Sequence, residues 1–204
     1  MSLTPATQQG RATKERIVRG AAALIAERGA AATSLDDVLA ATGASKSQLY
    51  HYFEDKHGLV EAVVDHQCAA VLGLQAHALA SVSSWEDLER WAGMMVAIVE
   101  DHGARGGCPI GTLAAALSDT DERLRTSLAE AFRAWSDAIR GALMRLQANG
   151  LIAGRADIES LTTFTLSAIQ GGLLLAKTSR DAGQLRIALD GAILQLRANA
   201  AGRP

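Results

Sequence analysis

Hydrogen-bonding side chains crowd one stretch of the chain: Ser45, Lys46, Ser47 and Gln48, then Tyr50, His51 and Tyr52, with Lys56 four residues further on. These types suit recognition more than bond-making. The amide of Gln48 can pair in two-pronged fashion with adenine, and Lys46 can reach guanine or phosphate. The hydroxyls of Ser45, Tyr50 and Tyr52 can meet phosphate oxygens whatever the base. Thr33 and Ser34 open the same region, and Lys56 adds a cation for a charge-assisted phosphate contact. The partner implied is double-stranded DNA read in its major groove.

Such a reader must be held by helices, and the chain predicts helix nearly throughout, because apolar residues recur at spacings of three and four. Ile17, Ala21, Leu24 and Ile25 form the stripe of a first helix from about Thr13 to Arg28, stopped by Gly29. Ser34 opens a short second helix with Asp36 and Asp37 in its first turn, where the helix dipole favours acids. That helix stops at Thr42-Gly43, and Ser45 with Gln48 three residues later is the capping box of a third. Two short helices joined by a tight Gly turn are a helix-turn-helix, with Leu35, Val38, Leu39, Leu49 and Phe53 directed inward.

Further helices are expected from Lys56 to about Leu79, from Ser84 to His102, over a short segment from Cys108-Pro109 to Leu117, and from a cap at Asp119 to Gln147. Two more, about Asp157 to Thr178 and Asp181 to Asn199, complete an all-α chain of about nine helices. The expected division is a DNA-binding head over 1–59 and a body over 60–204. In the body, Cys68, Trp91, Met94, Met95, Cys108, Phe132 and Trp135 are candidates to line an apolar effector pocket of the kind a helical bundle provides. Thr165, Ala168, Gly172 and Leu175 on the eighth helix, with Leu185, Leu189, Ala192 and Leu196 on the ninth, make two seams expected to pair with a second copy as a homodimer. A recognition helix of seven residues reads only a few base pairs, so two symmetric heads and a palindromic operator are expected.

Of 204 residues, 49% are hydrophobic and 21% charged with three prolines, the composition of a globular protein. Net charge is −2, and up to Leu59 seven Lys and Arg face six acids. Electrostatics alone would not point to DNA; the local pattern does. The opening Met1-Ser2-Leu3-Thr4-Pro5 lacks the pattern of a signal peptide, and no later segment has eighteen uncharged apolar residues. A cytoplasmic protein with no membrane partner and two reduced cysteines is expected. No zinc-type spacing surrounds His51 or His57, so neither a metal nor a cofactor is expected. An enzyme would have only Cys108, His102 and the acids near Asp119, without a phosphate-binding Gly loop or nucleophile elbow. A body that dimerises and senses nothing is the other alternative to a sensor.

The stretch Thr33 to Lys56 resembles the TetR family of bacterial regulators. That family's signature is a hydroxyl residue, an acid-bearing short helix, Gly-x-Ser, then Leu-Tyr-x-Tyr/His-Phe and a Lys, matched here by Gly43-Ala44-Ser45, Leu49-Tyr50-His51-Tyr52-Phe53 and Lys56. Ser47-Gln48 stand where many relatives have Gly followed by Thr or another small residue, so base contacts at those positions do not carry over. Together with Gly107-Cys108-Pro109-Ile110-Gly111, the wording is similar to the LmrA/YxaF-type subgroup. The resemblance implies a non-enzymatic repressor relieved by a small, often aromatic or lipophilic effector.

Overall fold

A computed structural model describes residues Thr7 to Ala201, and among them the chain forms nine α-helices and no strand. They are α1 Gln8–Arg28, α2 Leu35–Thr42, α3 Lys46–Tyr52, α4 Lys56–Ala80, α5 Trp85–Asp101, α6 Pro109–Leu117, α7 Glu122–Ala148, α8 Ile158–Ser179 and α9 Gly183–Ala198. The all-α reading holds. Two ends differ from expectation for local reasons. The first helix starts at Gln8, because the Thr7 hydroxyl accepts the Gly10 N–H and caps a turn with no apolar periodicity to announce it. The seventh is capped by Asp121 in place of Asp119, since the Asp121 carboxylate accepts the Leu124 N–H at 2.9 Å.

The chain divides into two compact units: residues up to Ala70 with Thr112–Ala129, and Val71–Gly111 with residues from Glu130 on. In the first, Ile17, Val18, Ala21 and Ile25 of α1 are buried, as are Val38, Leu49, Phe53, Leu59, Val63 and Val64. α1 comes so close to α2 that a Cβ on Gly20 would stand 2.2 Å from Thr42 Cγ2. The Arg16 guanidinium donates to the Thr42 carbonyl and closes the end of α2. Gly43 then turns the chain with φ 63° and ψ 17°, the left-handed region that a side chain would disfavour, while its N–H caps Leu39. In the same unit, His57 Nε2 lies 2.5 Å from Asp121 Oδ2, and Arg123 pairs with Glu61 at 2.9 Å, tying the first turns of α4 to the start of α7.

The second unit is organised by the antiparallel hairpin of α8 and α9, with α5 against α9. Leu185, Leu189, Ala192 and Leu196 are buried there with Leu161, Ile169 and Leu173. The Arg145 guanidinium donates to the Val82 and Leu79 carbonyls, satisfying backbone acceptors left where α4 ends. Cys68 and Cys108 are both reduced and buried. No helix among the described residues is long and apolar enough to cross a membrane.

Gly20→Ala forces Thr42 aside and loosens α1 from α2, costing about 1–3 kcal/mol of stability by overpacking, measurable by denaturant unfolding. Four helix-capping carboxyls also lie below the ordinary carboxylate range: Asp37 through the Ser34 hydroxyl, Asp87 through Arg90, Asp121 through the Leu124 N–H and Asp157 through the Ser160 hydroxyl. Because folding depresses these values, their stabilisation is present above the unfolded value of about 3.9 and is lost as pH falls through that range toward the lowered values. The melting temperature should therefore hold down to about pH 5 and drop below about pH 4, less steeply in Asp87→Asn.

Candidate DNA-reading head

The third helix is seven residues long and cannot stand alone in water, so its ends and inner face must be fixed from outside. Its N-terminus carries a capping box. The Ser45 hydroxyl accepts the Gln48 N–H at 3.1 Å, and Gln48 Oε1 accepts the Ser45 N–H at 3.0 Å. Ser34 and Asp37 make the same arrangement at the start of α2. At the far end, Leu49 and Phe53 are fully buried, and the Tyr52 ring meets Phe53 edge-on at 6.3 Å. These anchors pin the inward face.

With Leu49 and Tyr52 turned inward, the helical period of 3.6 places Ser47, Tyr50 and His51 on the opposite side, with Lys46 and Gln48 on the flanks. Lys46, Ser47, Gln48 and His51 are exposed, and Tyr50 is 50% exposed. Expectation and geometry agree on the exposure of these five. They part at Tyr52 and Thr33. Tyr52 is 7% exposed, because it shares the inward side with Leu49. Thr33 is 3% exposed, and its hydroxyl donates to the Gly29 carbonyl at 2.9 Å, closing the loop after α1. Ser34 and Ser45 are exposed but serve as caps. Lys56 Nζ donates to the Ala31 carbonyl at 3.1 Å, which anchors the start of α4 while leaving two further donor protons on the ammonium.

Gln48 is the most instructive of these positions. A two-pronged pairing with adenine needs both its carbonyl oxygen and its amide group, and the oxygen is committed to the Ser45 N–H. In this geometry Gln48 keeps both amide N–H donors, while one lone pair of its oxygen is used in the cap. A sequence pattern cannot show that one side chain is asked to cap and to read at once.

Of the effector candidates, Trp91, Met95, Cys108 and Trp135 are buried in the second unit, Met94 and Phe132 are half-buried there, and Cys68 is buried in the first. Gln75, absent from the expected set, is buried and accepts from Trp91 Nε1 at 2.9 Å. The Cys108 Sγ accepts the Gly111 N–H at 3.3 Å, yet burial pushes its thiol up, away from the thiolate that a nucleophile requires. His102 Nδ1 lies 2.7 Å from the Ile98 carbonyl.

The seams expected for a partner fare differently. Thr165, Gly172, Leu185, Leu189, Ala192 and Leu196 are buried within the chain, where α9 packs against both α8 and α5. A Cβ on Gly172 would stand 2.9 Å from Ala188 Cβ and 3.0 Å from the Leu185 backbone. Ala168 is half-buried, and Leu175 alone of the eight is largely exposed. Phe164, Leu174, Ile187 and Leu194 join it as bare apolar side chains. Both seams are apolar stripes, but periodicity does not say which of two apolar sides meets the neighbouring helix.

A capped, buried-backed short helix presenting polar groups after a tight Gly turn defines a helix-turn-helix DNA-binding protein. Residues 17–63 match the model of the tetR family of bacterial regulatory proteins, and residues 84–191 match the C-terminal domain of LmrA/YxaF-like transcriptional regulators. The chain is 32% identical, over 88% of its length and 91% of the relative's, to an HTH-type transcriptional regulator encoded in the lacX 3′ region of Lactococcus lactis subsp. lactis. It is 24% identical to the HTH-type transcriptional repressor DhaR of Mycobacterium sp. strain GP1, over 82% of this chain and 84% of that protein. A solved TetR-family regulator from Cytophaga hutchinsonii superposes with a TM-score of 0.83 at 17% identity, covering 98% of this chain and all of that one. The chain belongs to the TetR family of transcriptional regulators. Family and fold are those of regulators, not enzymes.

The capping box gives a direct test. Gln48→Glu keeps an N3 acceptor for the Ser45 N–H and should melt like the parent, but it loses the outward donors and places a negative charge beside DNA phosphates. Ser45→Ala instead removes the cap and costs about 0.5–2 kcal/mol of stability. Band-shift titration with thermal melting separates them: Gln48→Glu should lose DNA affinity without loss of stability, and an unchanged affinity would remove Gln48 from the interface.

Proposed function

We propose that this regulator is a repressor that binds a palindromic operator as a homodimer and releases it when a small neutral aromatic or lipophilic effector enters the second unit. Residues 1–59 would be the reading head and 60–204 the sensing and dimerising body. The observation that carries the proposal is the pairing of two exposed surfaces of opposite character. One is the polar outer side of α3, with Lys46, Ser47, Gln48, Tyr50 and His51. The other is the apolar outer side of α8 and α9, with Phe164, Leu174, Leu175, Ile187 and Leu194.

Bare apolar side chains concentrated on two adjacent helices mark an association surface. Gly171 and Gly191 lie on these helices with nothing within 4 Å of an added Cβ, which leaves room for another helix to approach. A symmetric dimer through this side would duplicate the head, as a short recognition helix requires for a unique site. The buried Trp91, Met95, Cys108 and Trp135 favour an uncharged effector, since a charged ligand among them would be desolvated without compensation. Release requires that the effector bind one arrangement of the heads better than the other. The relative DhaR is an HTH-type transcriptional repressor, which supports the sign of regulation.

Selection of bound sequences from a random duplex pool tests the reading: an inverted repeat is expected, and enrichment of a single half-site or of nothing would overturn it. Sedimentation tests the dimer. Ile187→Arg with Leu194→Arg should yield folded monomers, costing about 2 kcal/mol of association at each position. Gly172→Trp should unfold the α8–α9 hairpin instead of reporting on the dimer.

A further inference from the structure

In the first unit a groove of about 580 Å³ opens between three pieces of chain: the loop after α1, the first turns of α4, and the end of α6 with the start of α7. Ala30, Val60, Leu117 and Leu124 give it apolar walls. Its size is that of a small-molecule pocket, and like such pockets it sets a few fixed polar groups against an apolar lining. None of its lining residues belongs to the second unit.

The charged groups that line it are unequal. Asp121 has both carboxylate oxygens engaged: Oδ2 lies 2.5 Å from His57 Nε2, and Oδ1 accepts the Leu124 N–H at 2.9 Å. A cationic ligand would have to compete with these bonds. Lys56 is the opposite case. Its ammonium donates to the Ala31 carbonyl at 3.1 Å, has no ion-pair partner among the described residues, and keeps two further protons. The bond to Ala31 also fixes where the charge stands, so little freedom is lost when an anion meets it. Inorganic phosphate would find a single unpaired cation here among apolar walls, and a neutral hydrocarbon would leave the ammonium to water. A ligand that uses both features has one anionic group and an apolar body.

We propose that this groove binds small amphiphilic anions, aryl or alkyl carboxylates or sulfonates, with the anionic group on Lys56 and the apolar body over Val60, Leu117 and Leu124. The site is separate from an effector site in the second unit and stands or falls without it. Ala31 belongs to the loop that leads into α2, and Lys56 to the first turn after α3. An occupant touching both bridges the segments that enter and leave the helix-turn-helix.

Fluorescence titration of the full-length protein with anilinonaphthalene sulfonate and with neutral N-phenylnaphthylamine, one aromatic framework with and without the anionic group, tests the site. Ala116 is an exposed position on the groove wall, so Ala116→Trp should fill the groove and remove the binding of both probes there. Binding elsewhere, as on the bare side of α8 and α9, is untouched by that change and serves as the background. Lys56→Met should weaken the sulfonate about 3- to 5-fold and leave the amine unchanged, while Lys56→Arg keeps the sulfonate affinity. On the unaltered protein, rising salt should weaken the sulfonate alone, a measurement that needs no variant to fold. Titrations of both probes that Ala116→Trp leaves unchanged would overturn the site. Probes that respond alike to salt, or to Lys56→Met in a variant that melts like the parent, would overturn the assignment of an anion to Lys56.

Discussion

A helix of seven residues does not hold itself together in water, and α3, the helix we propose as the reading surface, is such a helix. Everything around it serves to make that helix permanent without covering its outer side. The capping box at Ser45 and Gln48 satisfies amides that have no partner within the helix. Leu49 and Phe53 supply the burial that its propensity lacks. α1 in turn fixes α2 through the close approach at Gly20 and the bond from Arg16 to Thr42, so the turn at Gly43 starts from a rigid point.

The same economy sets a limit on recognition. A side chain that caps cannot at the same moment present all of its hydrogen-bonding atoms to a base, and Gln48 has its oxygen turned inward. Ser47, Tyr50 and His51, opposite the buried residues, therefore hold the central outward positions, with Lys46 and Gln48 beside them. Thr33 closes the loop before α2, Ser34 caps that helix and Lys56 ties α4 to the loop.

In the second unit the governing constraint is where two apolar helices spend their apolar area. α8 and α9 bury one side of each against the other, closely enough that Gly172 leaves no room for a side chain. Residues further round each helix are then left bare, from Phe164 to Leu194. The polar atoms inside the unit divide in a similar way. Gln75 answers Trp91, whereas Trp135 and Thr162 find no answer within the chain.

The all-helical architecture and the helix-turn-helix were legible in the sequence because they rest on local rules: apolar spacing, capping residues and a Gly at the turn act over a few residues and are written where they act. The capping box at Ser45 and Gln48 is the clearest case. Missed features depend on residues far apart in the chain. Thr33 and Tyr52 have side chains suited to DNA, but packing leaves only 3% and 7% of them exposed, which residue type alone does not announce. Leu185, Leu189, Ala192 and Leu196 form a stripe that periodicity detects but cannot assign, because a stripe facing its own chain and one facing a partner have the same spacing. The sequence by itself determined which segments are helices and where most of them begin and end. Tertiary structure alone decided which side of each helix was consumed by packing, since that depends on neighbours brought together only when the chain folds.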